Sequence, residues 1–476
     1  MATKKLTFGT PEAIVPSRFC PTFNYREGKV TFDASSVRAE KTARGFMLDF
    51  PLAPDEQIYG FGLQLKELNH RGHKVVLRVN ADPVAATGDS HAPVPFFVTT
   101  HNRGFYVDTA RAAEFYCGYP RVGQRLADGD SADTTSELYA TRAAVDTTWM
   151  NILIPAASGV DVYVFEGKNV TEVVSEYNML AGGGCTVPDW GLGHLFRTHH
   201  DIGEDDVMKM ARHFKEHDMP VSTLGLEPGW QTKHYSCSYQ INRGNFPHFE
   251  DMVKTLREMG YHVNLWEQCF TNPLAPFYDA MKPLAGDFPV WEGLVPDFTL
   301  PEARKLFADW HNKTLVSCGV DGFKTDECDG SDYTGGWSFP YTAKFPGGAD
   351  GEQMHALLGT QFARTIMEAL DGRPTLSEIR SMGALAAPYP FVLYSDLYAH
   401  KDFIRGVVNS GFSGILWSPE VRSTASEKDL IRRMQTTVFS VHALVNAWNC
   451  EEVCPWFIYS EECEGKVRDL LNLRES

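Results

Sequence analysis

Residues 320–330 read VDGFKTDECDG, an apolar-led strand that carries a lysine and a cluster of acids at its C-terminal end. Side chains alternate along a strand, so Lys324 and Asp326 share one face while Phe323 and Thr325 share the other. A cation beside a carboxylate favours its ionised form, which suits a nucleophile and does not suit a proton donor. Glu327 is expected to point away. A second acid, Asp396, stands in the run FVLYSDLYAH among Leu393, Tyr394 and Tyr398 with no adjacent base, a setting that favours the protonated carboxyl. Cleavage of a glycosidic bond needs this pair: one carboxylate attacks the anomeric carbon, and one carboxyl hands a proton to the leaving oxygen. The two carboxyl groups are expected roughly 5–7 Å apart, the lower part of that range being the spacing for retention of configuration. Taken singly, Asp326 also reads as a strand-end ion pair and Asp396 as a helix cap.

Acids delivered at strand C-termini belong to a (β/α)8 barrel, and the surrounding elements fit one. Beyond Gly182-Gly183-Gly184 and Pro188 the pattern alternates between strand and helix. Strand-like segments fall at 192–198, 222–227, 262–266, 322–326, 375–378, 391–396, 414–418 and 443–448. Helical periodicity covers 205–216, 249–259, 302–318, 350–370, 428–437 and 461–474. Up to about residue 180 the chain reads instead as turn-punctuated strands, such as 74–79, 96–99 and 162–165. The expected architecture is an N-terminal β-sandwich, residues 1–186, followed by an α/β (β/α)8 barrel, residues 187–476. Asp326 then ends the fourth barrel strand and Asp396 the sixth. The stretch 330–351, with Trp337, becomes a long loop at the active-site end.

The 476 residues hold 44 Lys plus Arg against 61 Asp plus Glu, a net charge of −17. A field of that sign repels polyanions and argues against nucleic acid or anionic membrane as partners. Charges interrupt every apolar stretch before the ~20 residues that a membrane helix requires. The start MATKK lacks the apolar core of a secretory signal, so a cytoplasmic location is expected. Ten cysteines without CxxC pairs fit reduced thiols. Cys450 and Cys454 have no neighbouring histidine or cysteine pair to complete a metal site. Cys328, two residues past Asp326, is expected to share its face and line the pocket.

Several segments run in a fixed order: Ile58-Tyr59-Gly60-Phe61-Gly62, Leu68-Asn69-His70-Arg71-Gly72, Asn80-Ala81-Asp82, Pro95-Phe96-Phe97, Pro188-Asp189-Trp190-Gly191-Leu192-Gly193, Phe246-Pro247, Gly322-Phe323-Lys324-Thr325-Asp326 and Gly411-Phe412-Ser413-Gly414. Together they resemble glycoside hydrolase family 31, the α-glucosidases, α-xylosidases and their relatives. The resemblance implies retaining hydrolysis of a terminal α-linked sugar through a covalent glycosyl-aspartate. It implies no metal and no organic cofactor, Asp326 as nucleophile, Asp396 as acid/base and a carbohydrate as partner. Arg380 becomes a clamp for a sugar or a carboxylate. Family members usually carry β-domains after the barrel, whereas this sequence ends with the helical segment 461–474.

The sequence departs from the α-glucosidase pattern at the sugar. Glu227 stands where aspartate is usual, Trp417-Ser418-Pro419-Glu420-Val421-Arg422 replaces a DIGG segment, Asn446 replaces a histidine, and Trp266-Glu267-Gln268-Cys269 differs on the third strand. Buried hydroxyl contacts discriminate strongly between epimers, so an α-galactoside, with its axial 4-hydroxyl, is favoured over an α-glucoside or α-xyloside. Transglycosylation is the alternative outcome. Trp230 and Trp337 are the preferred sugar-stacking residues, with Trp190, Trp266 and Trp417 as further candidates. Asp82 is placed to reach the leaving-group side. A metal-dependent hydrolase built on His199, His200, Asp201 and Asp326 fits less well, because adjacent histidines on a strand point to opposite faces. A non-catalytic sugar binder would have no need of both carboxylates.

Overall fold

The computed structural model describes residues 2–81, 83, 85–119, 147–331, 337–395, 399–449 and 458–476. The first part supplies β1 (Thr3–Thr10), β2 (Arg38–Thr42), β3 (Gly45–Pro51), β4 (Ile58–Gly62), β5 (Lys74–Val76), β6 (Pro93–Thr99), β7 (Arg103–Asp108), β8 (Glu114–Cys117), β9 (Trp149–Pro155) and β10 (Ser158–Glu166). They form two five-stranded antiparallel sheets, in the orders β1-β10-β7-β6-β4 and β2-β3-β9-β8-β5. Their facing sides interleave Leu48, Phe50, Phe97, Phe105, Phe115 and Val162. Each such side chain contributes about 1.5–3 kcal/mol by leaving water. Cys117 lies in this layer with no exposed surface, and burial pushes its thiol pKa up.

Helix Val170–Leu180 corrects the all-strand reading of this region. The Asn169 side chain caps it by accepting from the Glu172 N–H at 2.9 Å, and Val173, Tyr177 and Leu180 recur on one face. Tyr177 lies flat on Phe96 at 3.9 Å, so this helix covers the outer side of the first sheet.

The second part is the barrel: β11 (His194–Arg197), β12 (Val221–Leu226), β13 (His262–Gln268), β14 (Gly322–Asp326), β15 (Ser377–Ile379), β16 (Phe391–Leu393), β17 (Glu420–Val421) and β18 (Ala443–Asn446). These strands are parallel, in the order β16-β15-β14-β13-β12-β11-β18-β17. The ring closes where Leu393 pairs with Trp417, its N–H donating to Leu416 at 2.9 Å. The expected strand at 414–418 is thereby corrected. It contacts β16 only briefly, and the ladder to β18 resumes at Glu420. Pro419 has no N–H to carry the ladder across that interval.

Helices Glu204–Glu216, Phe249–Glu258, Pro301–Thr314, Gly351–Leu370, Glu427–Val438 and Glu461–Glu475 fall where the periodicity places them. Helix His400–Phe412 is additional. It seats on the sandwich: Gly62 N–H donates to Ser413 Oγ at 2.8 Å, and Lys66 pairs with Asp402 at 2.8 Å. Gly406 in this helix is required by packing, since a Cβ there would lie 2.8 Å from the Trp417 ring. Among the described residues, no helix is long and apolar enough to cross a membrane.

Candidate active site

The parallel register sets Trp266 beside Lys324, Gln268 beside Asp326, and Lys324 beside Glu378. Leu195 and Leu444 form a small apolar cluster with Tyr394, whose ring lies 4.8 Å from Lys324 Nζ. Two residues further along β11 and β18, on the same inward face, come Arg197 and Asn446. The interior therefore turns from apolar to charged toward the C-terminal ends of the strands.

Arg197 organises that charged layer. Its Nε and Nη2 donate to Glu378 Oε2 at 3.0 and 2.7 Å, and its Nη1 donates to Glu227 Oε1 at 3.1 Å. Asn264 Oδ1 accepts from the same guanidinium. Lys324 Nζ stands 3.2 Å from Glu227 Oε1 and 3.9 Å from Asp326 Oδ2. Burial disfavours the charge on Lys324, but Glu227 and then Asp326 outweigh it, so its pKa lies above the ordinary value. Arg197 is raised in the same way, burial being outweighed by Glu378 and Glu227. The guanidinium fits because β12 presents glycine opposite it: a Cβ on Gly225 would fall 2.8 Å from Arg197 Cγ.

Asp326 stands above this layer. Its Oδ2 accepts from Trp266 Nε1 at 2.7 Å, its Oδ1 accepts from the Glu327 N–H at 2.8 Å, and Arg380 Nε lies 3.7 Å from Oδ1. At 13% its side chain is more exposed than those of Glu227 and Glu378, at 2% and 1%. Glu327 adopts φ 57°, a left-handed conformation that costs about 1–3 kcal/mol in a non-glycine residue. That turn aims its N–H back at Asp326. Tyr235 borders the opening, its ring 5.7 Å from Trp266 and 5.0 Å from Trp291, and Trp291 lies parallel to Trp337 at 6.2 Å. Burial, with Glu327 and Asp326 nearby, pushes the Tyr235 phenol up, so it remains a neutral O–H. Arg380 Nε also donates to Asp329 Oδ2 at 3.1 Å, and the same oxygen is 2.5 Å from Nδ1 of His91, a residue of the first domain.

The structure thus brings Glu227, Trp266, Lys324, Asp326 and Arg380 together and leaves Trp337 half-buried at the rim. Asn446 joins the wall, donating to Glu420 Oε2 at 2.8 Å. Asp82 and Asp396 lie outside the described residues. Three expectations are corrected. Trp230 is wholly enclosed and spends its indole N–H on the Trp266 carbonyl at 2.6 Å, bracing that strand instead of offering a ring face. Trp417 is 1% exposed and packs outward against Phe403 and Gly406. Cys328 is 1% exposed, with Sγ toward the Ser381 carbonyl at 3.9 Å, and burial pushes its thiol well up. It packs into the apolar core because the left-handed Glu327 breaks the strand alternation that would have aligned it with Asp326. Trp190 stacks on His262 at 3.9 Å. His199 and His200 follow the end of β11, where alternation no longer holds; their rings stack at 4.5 Å on the same side.

Arg197, Glu378, Asp329 and His91 went unread in the sequence. For the first two the available signal was a charge at an inward position of a short apolar strand, as in HLFR and SEI. Asp329 and His91 carry no such local signal, since each gains meaning only from the other.

A closed parallel barrel with carboxylates gathered at the C-terminal ends of its strands is the arrangement of a barrel enzyme. The family model for the glycosyl hydrolases family 31 TIM-barrel domain matches residues 185–476, and that for the glycosyl hydrolase 31 N-terminal galactose mutarotase-like domain matches residues 16–115. The chain belongs to glycoside hydrolase family 31. It is 23% identical over 461 residues to an α-xylosidase of Emericella nidulans, covering 91% of this chain and 54% of that protein. It is 25% identical over 332 residues to the α-xylosidase XylQ of Lactiplantibacillus pentosus, covering 66% of this chain and 39% of that protein. The chain thus spans about half the length, or less, of these curated relatives. A family 31 α-xylosidase from a soil metagenome, complexed with xylose, superimposes with a TM-score of 0.74 at 17% identity, over 94% of this chain and 67% of the other. A Flavobacterium johnsoniae dextranase complexed with glucose gives 0.76 at 18% identity, over 93% and 55%. At these identities the two structures speak for the fold.

Proposed function

We propose that this chain is a retaining exo-α-glycosidase, with Asp326 as nucleophile and Asp396 as acid/base, and with the division into domains falling between residues 186 and 187. The observation that carries the reading is the setting of Asp326: a partly open carboxylate at a barrel strand end, oriented by Trp266 Nε1 and the Glu327 N–H, with Lys324 and Arg380 as nearby cations. In the first step Asp326 attacks the anomeric carbon while Asp396 protonates the departing oxygen, giving a β-linked glycosyl ester and a free alcohol. Asp396, now a carboxylate, takes a proton from water, which attacks the same carbon. The sugar leaves with its original α configuration, and Asp326 returns to a carboxylate. A 2-deoxy-2-fluoro glycosyl fluoride should label the peptide containing Asp326, as read by mass spectrometry. Labelling elsewhere, or none, refutes the assignment.

For the sugar we favour a terminal α-galactoside. Glu227 is pinned by Arg197 and Lys324, so any hydroxyl it meets is met at one fixed position, a condition for separating epimers. Asn446 and Glu420, hydrogen-bonded to each other on the neighbouring strands β18 and β17, alter the wall beyond β11. The names of the relatives, α-xylosidases and a dextranase, support the second reading, an α-xyloside or α-glucoside. A panel of p-nitrophenyl α-glycosides decides between them: higher kcat/KM on the α-galactoside supports the first, and preference for the xyloside or glucoside refutes it.

A further inference from the structure

We propose that His91, supplied by the N-terminal domain, is a positioning residue for Asp326 that acts through Asp329 and Arg380; the inference rests on Asp326 being the nucleophile. His91 stands two residues before the first residue of β6 and has no exposed surface. The loop that carries it is braced within its own domain. Arg78 grips both oxygens of Asp89 at 3.0 Å, and the Asn80 N–H donates to the Ser90 carbonyl at 2.9 Å. The loop also meets the barrel a second time, where Ser331 Oγ donates to Asn80 Oδ1 at 3.2 Å. His91 is thus held at a set height over the end of β14.

The chemistry turns on a single hydrogen. Arg380 Nε carries one, and two carboxylates compete for it: Asp329 Oδ2 at 3.1 Å and Asp326 Oδ1 at 3.7 Å. Asp329 holds it. Asp326 therefore feels the guanidinium charge while that oxygen is spared a direct hydrogen bond from Nε. His91 biases the competition, because its Nδ1 sits 2.5 Å from the same Asp329 oxygen. A carboxylate oxygen can only accept, so Nδ1 donates, and a donor at that point favours the charged form of Asp329. Without it, Asp329 is a fully buried acid with one donor fewer, its hold on Arg380 weakens, and Arg380 can close the short remaining gap to Asp326. The pair formed there would occupy the lone pair needed for attack on the sugar.

The alternative is that His91 merely fastens the loop to the barrel, and replacement chemistry separates the two. His91→Asn keeps an N–H donor at the same number of bonds from Cβ as Nδ1, whereas His91→Leu keeps apolar bulk and no donor. The probe is the 2-deoxy-2-fluoro glycosyl fluoride of the sugar chosen by the aryl glycoside panel, with the rate of Asp326 labelling as readout. His91→Leu should label about 10–100-fold more slowly while the inhibition constant of the free product sugar moves less than about threefold, the mark of a displaced reacting group. His91→Asn should stay within about threefold of wild type on the same scale. Asp329→Asn supplies a second route: it should slow labelling similarly, and adding His91→Leu to it should cost nothing more. Wild-type speed in His91→Leu, equal slowing in His91→Asn and His91→Leu, or additive slowing in the double variant overturns the role of His91 alone. An unlabelled wild-type protein overturns the assignment of Asp326, and this inference with it.

Discussion

Between the sheets of the sandwich, Phe50, Phe97 and Phe105 meet ring to ring at 5.1–5.3 Å, while at the same remove from solvent the barrel holds Arg197, Glu227, Lys324 and Glu378. Apolar contact has little direction, so losing one ring leaves its neighbours in place with a local defect. A buried charge is tied to specific partners, and removing one partner leaves the others uncompensated. The first interior makes the chain fold; the second holds functional groups at fixed positions at some cost in tolerance.

The contrast is broken most severely at its most exposed member. Asp326→Asn should lower kcat/KM by at least about a thousandfold while leaving the melting temperature near wild type. A residual rate within tenfold of wild type would remove Asp326 from the chemistry. Next in size, Arg197→Met should destabilise the fold by about 3–5 kcal/mol in urea titrations, because Glu227 and Glu378 lose their shared cation. Phe97→Ala should cost about 3–5 kcal/mol through its cavity. The distinction appears in pairs. Adding Glu378→Leu to Arg197→Met should recover about 1–3 kcal/mol, since one stranded charge is gone. A second deletion beside Phe97 should recover nothing. Equal behaviour of the two pairs would erase the comparison.

These expectations bear on what the sequence makes legible. The sandwich strands and the strand Gly322–Asp326 are readable because alternation and apolar runs are local properties. Arg197 is invisible as the centre of the barrel because its partner Glu378 lies 181 residues away and no local pattern joins them. Trp230 and Trp417 misled for the converse reason: a tryptophan near a strand end suggests a sugar platform, whereas the direction of its ring depends on packing such as that against Gly406. The turn at Glu327 likewise redirects Cys328 through a φ of 57° that its residue type does not announce.

Smaller effects sharpen the picture. Glu227→Asp should change the ratio of kcat/KM between C4 epimers by about tenfold, as the shortened carboxylate leaves its place between Arg197 and Lys324. An unchanged ratio would show that Glu227 shapes the charged layer without meeting the sugar. The mildest test is acid. Burial, with the cations nearby, lowers His194 and His442 at the base of the barrel to about 3, and burial lowers His70 in the sandwich to about 4. Each is neutral when folded and gains a proton when unfolded below pH ~6.5, so unfolding takes up protons and stability falls as pH drops from ~6.5 toward 3–4. Melting temperatures across that range should decline, and His442→Asn should flatten the slope. A decline unaltered by the substitution would assign acid sensitivity to other groups.

The two buried thiols described above turn the same architecture into a kinetic recorder. A cysteine reacts as its thiolate, and burial raises both Cys117 and Cys328, so an alkylating reagent reaches either only when its surroundings open. Cys117 keeps time for the aromatic layer and Cys328 for the core packed behind the turn at Glu327. Their separate labelling rates under native conditions would show whether the chain breathes as one body or as two.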